Sequence, residues 1–429
     1  MELMGIKTNQ IFFNRRGYCF PYLALIVCMG LLPLCSLGQV GKPLPLWEKG
    51  YLDIHHINTG KGDAAFFMLP DGTTMLVDAG ASNRPPGGPR EMDAKPDDSR
   101  SPGEWISRYI NHMLQGQPVE KLNYMLLTHF HSDHMGGLLP GGKISVSGGY
   151  KLAGITEVGD LISFDKMIDR AWPEYNWPIP LENKDMQNYR QFLEWHIQNN
   201  GAEVEQFQVG QKDQLALVHQ PQEYPDFEIR NIAANGHIWT GVGNNVRNHF
   251  PPIEDLTEDL PSENMCSIAF RLSYGRFDYF TGGDMPGLPS AGSPEWQDVE
   301  TPVAKAVGPV EVNVANHHAH FDAQNEFFIR FLRPKVHIIQ SWVVNHPSPS
   351  TLSRMLSERL YPGDRDIFAT NIKEETRIFI GSAIEQIKSQ QGHIVVRVAP
   401  KGESFKVFIL DDSDESFNVK AIYGPYTCD

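Results

Sequence analysis

The chain has 429 residues, 41% hydrophobic and 21% charged, an ordinary globular composition with enough apolar material for a large core. Its formal net charge is −15, and Lys7, Arg15 and Arg16 against Glu2 in the first 38 residues leave the remainder at −17. So acidic a body argues against broad binding of DNA or RNA, because phosphate neutralisation supplies most non-specific nucleic-acid affinity.

In chain order, Arg15 and Arg16 precede an apolar run of signal-peptide length, ending with the small residues Ser36 and Gly38. This predicts a signal peptide over residues 1–38 and export to the periplasm or beyond the cell. A lipid anchor at Cys35 and a retained N-terminal anchor are the alternatives. Only Cys266 and Cys428 follow the leader, too few for a disulfide framework.

A Pro-rich linker over 39–50 comes next. Residues 51–80 then read as a β-meander: three apolar runs broken at Thr59-Gly60-Lys61-Gly62-Asp63 and Pro70-Asp71-Gly72. The third run ends in Asp78. Residues 81–102 form a long polar loop. Ser101, Pro102 and Glu104 open a helix in a capping-box pattern, and Trp105, Ile106, Tyr109, Ile110 and Met113 give it an apolar stripe.

A buried strand over Leu122–Leu127 leads into Thr128-His129-Phe130-His131-Ser132-Asp133-His134. In extended chain, residues two apart point the same way, so His129 and His131 can serve one ion. Asp133 and His134 follow as the chain turns. Imidazole and carboxylate suit zinc, iron and manganese, and four such groups in one loop exceed what one catalytic zinc takes from a single segment, so two ions are expected.

Residues 141–235 read as an elaborated insertion, with a helix over Asp185–Asn199 and an aromatic loop containing Trp172, Tyr175 and Trp177. Those aromatics fit either a pocket wall for a quaternary ammonium group or an anchor on the core. The second half supplies a hairpin over 267–280 ending in Asp284, a strand over Val310–Val314 before His317-His318-Ala319-His320, and a strand over Val336–Gln340 before His346. A hairpin over 394–410 and a tail over 412–429 close the chain. Strands delivering metal-type residues in both halves suggest two β-rich halves facing each other.

Thr128–Gly137 resembles the signature motif of the metallo-β-lactamase superfamily, and Asp78, Asp284 and the His317-His318 pair fall in that family's order. The resemblance spans residues 51–411. The Asn264-Met265-Cys266-Ser267 turn and Asn345-His346-Pro347 are most similar to the soluble hydrolase module of the ComEC-like branch. It implies an αββα sandwich, with two mixed β-sheets face to face and helices outside. It also implies a binuclear hydrolase, with zinc foremost and manganese or iron possible, acting on a small-molecule or cell-envelope ester.

In that arrangement His129 and His131 hold one ion, Asp133 and His134 with His317 or His318 hold the other, and Asp284 bridges them. Asp133 also accepts or relays a proton, and Asp78 is a supporting group. The family's middle His has no sure match. His237 and His249 are the candidates, while His219 reads as an ordinary loop residue. His320 and His346 stand as extra ligands or supports. A ComEC-like nuclease, or a metal-poor binding module that retains the fold, is the alternative.

Overall fold

The first strands are buried on both faces, so layers cover them on both sides, as for sheets packed inside a domain. A computed structural model describes residues 39–83, 91–256 and 259–429 of the chain. The expected leader over 1–38, with Cys35, lies outside the described residues.

The strands are β1 (Leu52–His56), β2 (Ala65–Met68), β3 (Thr74–Val77), β4 (Leu122–Leu126), β5 (Phe164–Asp169), β6 (Glu203–Gln206), β7 (Phe227–Ala234), β8 (His237–Trp239) and β9 (Val246–Asn248). They continue as β10 (Ala269–Tyr274), β11 (Phe277–Thr281), β12 (Val312–Val314), β13 (Val336–Ile339), β14 (Asp366–Ala369), β15 (Ile387–Ser389), β16 (His393–Val398), β17 (Ser404–Leu410) and β18 (Val419–Thr427).

These strands form two mixed sheets, ordered β18-β17-β16-β1-β2-β3-β4-β5-β6 and β15-β14-β13-β12-β11-β10-β7-β8-β9. In each, an antiparallel meander passes into a parallel stack, at β3–β4 in the first and β11–β12 in the second. One apolar core joins the two inner faces. There Phe67 meets Phe270 and Tyr279 at ring centroids of 6.2 and 5.7 Å. Burying each such ring contributes about 2–3 kcal/mol.

Helices α1 (Pro102–Met113), α2 (Ser132–Met135), α3 (Ile155–Leu161) and α4 (Lys184–Asn200) follow the early strands, and α1, α3 and α4 cover the outer face of the first sheet. α5 (Glu300–Val307) and α6 (Glu326–Leu332) cover the second. The architecture is the expected αββα sandwich, two mixed sheets face to face with helices outside. Among the described residues, no helix is long and apolar enough to cross a membrane.

Four local readings of the sequence need correction. The segment 141–235 is not wholly an insertion: β5 and β6 extend the first sheet beside β4, and β7 pairs with β10 in the second. Their polar residues hid them, β6 being the edge strand Glu-Val-Glu-Gln. Residues 412–429 are not a free tail, because β18 pairs along β17 as an edge strand, where its Gly424-Pro425 is tolerated. The linker packs down, with Leu44 and Trp47 buried in the first core and the Trp47 indole donating to the Tyr51 carbonyl at 2.8 Å. Ser101 precedes α1 without capping it; its hydroxyl donates to Glu157 at 2.5 Å.

Candidate metal centre

β4 ends inside the core, and the chain must turn at once without leaving polar groups unpaired. Asp78 meets that need. It accepts from the Thr128 N–H and hydroxyl, both at 2.7 Å, and pairs with His134 Nδ1 at 2.8 Å. α2 then forms a single turn. Its Asp133 carbonyl accepts from the Asp63 N–H at 2.8 Å and packs so close to Gly62 and Gly80 that a Cβ there would lie 2.2 and 2.0 Å from that oxygen. Those two glycines are required by contact.

Two groups of metal-type side chains result, sharing one carboxylate. In the first, His134 Nε2 lies 3.1 Å from Asp284 Oδ1 and 3.9 Å from Asp133 Oδ2, while His318 Nε2 lies 3.2 Å from Asp133 Oδ2 and 3.4 Å from Asp284 Oδ2. In the second, His129 Nε2 is 3.2 Å from His131 Nδ1 and 3.7 Å from Asp284 Oδ2. His131 is exposed at the cavity mouth, whereas His129 and Asp284 are buried.

The tautomers test the fit to metal. His134 directs Nδ1 at Asp78, and His318 directs Nδ1 at the Gln340 carbonyl (2.9 Å) and Asp63 (3.0 Å). Both Nε2 lone pairs therefore face carboxylate oxygens, and His134 Nε2 and Asp284 Oδ1 are buried without a hydrogen-bond partner. A cation on Nε2, whether a proton or a metal ion, reconciles such acceptors, and orienting a ligand's Nδ1 by a carboxylate or carbonyl is the usual support of a metal-bound imidazole. Across the two groups, four imidazoles and two carboxylates fit divalent transition ions. The charges agree: burial disfavours the Asp284 carboxylate, yet His134, His318 and His317 outweigh it and hold its pKa well below the usual range. Burial, and then His134, pushes His129 well down.

His317, His318 and Ala319 have φ of 47°, 52° and 60°. Three successive left-handed non-glycine residues cost about 1–3 kcal/mol each, a burden found where surrounding structure dictates a site. His317 and His320 both direct Nδ1 at Asp322 Oδ1, at 2.8 and 3.0 Å, forming a third group beside the cavity. His346 stacks on His318 at a centroid distance of 4.6 Å.

Neither candidate for the middle His joins these groups. His237 is exposed on β8, and His249 pairs with the Asp298 carbonyl at 3.0 Å. His219 lies by Asp71, its N–H donating at 2.9 Å. On that side stands Asn264 instead, its amide 3.3 Å from His317 Nε2. The neighbouring Glu263 accepts from the Phe130 N–H at 2.9 Å and forms a two-pronged pair with the fully buried Arg170. This clamp fixes the backbone between His129 and His131.

The cavity over these groups has a volume of about 550 Å³, and Trp342, Val343 and Val344 form its apolar wall. Trp172, Tyr175 and Trp177 do not line it. Tyr175 is buried, donating to Asp169 at 2.6 Å, and Trp177 stacks on Phe250, so the aromatic loop is an anchor. The sequence reading gave no site role to Asp63, Asp322, Arg170 and Glu263, and noted Asn264 only within the Asn264–Ser267 turn. Asp63 also carried a local signal, a carboxylate in a Gly-rich turn at a strand end.

Residues 60–141 match the model of the metallo-beta-lactamase superfamily. The chain carries a metallo-beta-lactamase superfamily domain. The match takes in Asp63, Asp78 and the whole His129–His134 loop. No curated protein matches the chain. Among solved structures, it is similar to a crystal structure of a new diphosphatase from the PhnP family, at 9% identity and a TM-score of 0.31, covering 81% of this chain and 97% of that one.

Proposed function

We propose that the metallo-beta-lactamase domain is a metal-dependent hydrolase holding two divalent cations, zinc foremost, that cleaves a phosphoester or related ester of a small or cell-envelope molecule after export. The observation that carries this reading is the sharing of Asp284 between the His129–His131 pair and the Asp133–His134–His318 group.

Two cations held there would act as Lewis acids on the scissile group and make water nucleophilic near neutral pH. Asp284, common to both groups, would hold both cations. Asp133, 3.2 Å from His318 and lining the cavity, accepts the proton released as water attacks. The Asn264 amide is placed to donate to a substrate oxygen, and the Trp342–Val343 wall excludes water behind it. The acidic surface favours a small ester over the long polyanion that a ComEC-like nuclease would take.

Metal analysis of purified protein with a panel of bis-p-nitrophenyl phosphate, single-stranded DNA and a β-lactam tests the reading. Close to two transition ions per chain and turnover of the small diester, both lost in His131→Ala, are expected. Fewer than one ion per chain, unchanged in Asp133→Ala, would sink the hydrolase. DNA cleavage at physiological salt without diester turnover would favour the nuclease.

A further inference from the structure

Glu300, in the first turn of α5, is fully buried although it faces no ligand group. Its Oε1 accepts from the Asn316 side-chain amide at 2.8 Å and from the Gln324 N–H at 2.7 Å. Its Oε2 accepts from the Asn325 N–H at 2.7 Å. These donors sit at the two ends of one segment, 316–325, and between them lie His317, His318, His320 and Asp322. A carboxylate buried on a helix thus closes the loop that carries the second half's imidazoles.

The same carboxylate reaches the loop after Asp284. A Cβ at Gly287 would lie 1.9 Å from Glu300 Oε2, so glycine there makes room for it. The Asn325 amide donates to the Gly287 carbonyl at 2.9 Å, and the Gly287 N–H donates to the Asp322 carbonyl at 2.8 Å. Nearer the metals, the His317 N–H donates to the Gly283 carbonyl at 3.0 Å. Asp284 and His318 come from different strands, yet both loops are tied through Glu300. Glu300 thus contacts both ends of the segment that contains the left-handed run at 317–319.

From this geometry we infer that Glu300 is a positioning residue, clamping the His317–His320 loop against the Asp284 loop so that His318 and Asp284 converge on one ion. The inference rests on the two-metal reading above. Glu300→Asp withdraws the carboxylate from its donors, and Gly287→Ala drives a methyl into it from the other side.

The test measures three quantities on both variants: zinc affinity by chelator competition, kinetics on bis-p-nitrophenyl phosphate at saturating zinc, and amide exchange of the metal-free protein. Expected are folded variants in which exchange rises at least tenfold in 316–325 and little elsewhere. One zinc binds roughly tenfold more weakly, and kcat falls roughly tenfold while KM moves less than twofold, as for outer partners of metal ligands. Wild-type exchange in 316–325, or activity lost only in proportion to lost folded protein, overturns the inference. Wild-type protein that takes up no zinc overturns the two-metal reading itself, and the unsubstituted chain alone reveals that outcome.

Discussion

Asp284 is the residue on which both candidate ion sites depend. Asp284→Asn is therefore expected to lower the metal content at both, and to reduce turnover by more than the roughly 100-fold that marks the upper range for loss of an outer partner. Asp78→Asn touches only Thr128 and His134. It should cost roughly 10–100-fold with the bound metal still detectable. Equal metal loss in the two variants would contradict this division. Buried histidines outside the candidate site contribute to the acid limit, His55 and His393 among them. Burial lowers the pKa of His55 and of His393 to about 4, and His393 Nδ1 accepts from the Asn58 N–H at 3.0 Å, which a protonated ring cannot do. Below about pH 6.5 the unfolded chain binds protons that the folded chain refuses, so stability falls as pH drops from 6.5 toward 4, by about 1.4 kcal/mol per unit for each ring. Thermal melts between pH 7 and 5 should show the decline, and His393→Gln should make it shallower by one ring's share; a flat wild-type profile contradicts the assignment.

At the level of elements, the Arg170–Glu263 pair links β5 to the His129–His131 backbone. Arg170→Ala leaves Glu263 without its cation and should destabilise the fold by about 3 kcal/mol, measured by urea unfolding, with weaker zinc binding alongside. What the sequence disclosed follows the same physics. Strands such as Ala65–Met68 and Thr74–Val77, buried along their whole length, were legible because their burial goes with short, nearly continuous apolar runs between turn signals. β6 and β18 were not, since an edge strand carries polar residues and even proline without penalty. The His129–His134 loop announced itself through local spacing. Glu263, Arg170 and Glu300 could not, because their roles arise from contacts between segments far apart in sequence, and no local pattern encodes such a meeting. The absent middle His belongs with these: the sequence raised the question, and only the fold put Asn264 and the Glu263 clamp on that side.

For the whole molecule, the candidate ligands come from both sheets: His129 to His134 follow β4 of the first, while Asp284 and His318 follow β11 and β12 of the second. Bound metal would therefore pin one sheet to the other. Stripping it with a chelator should remove about 2.7 kcal/mol of stability where the free ion had stood at 100 times its Kd, read as a lower melting temperature restored by adding zinc back. Unchanged melting would separate the site from the fold's stability. The strand order has a consequence for how the protein is made. The second sheet uses one continuous stretch, β7 to β15, whereas the first needs β1 to β6 from the beginning of the described chain and β16 to β18 from its end. Chains emerge from the ribosome N-terminus first. The histidine loop is thus synthesised before Asp284 and His318, so until those have emerged a nascent chain can offer a passing ion only half a site.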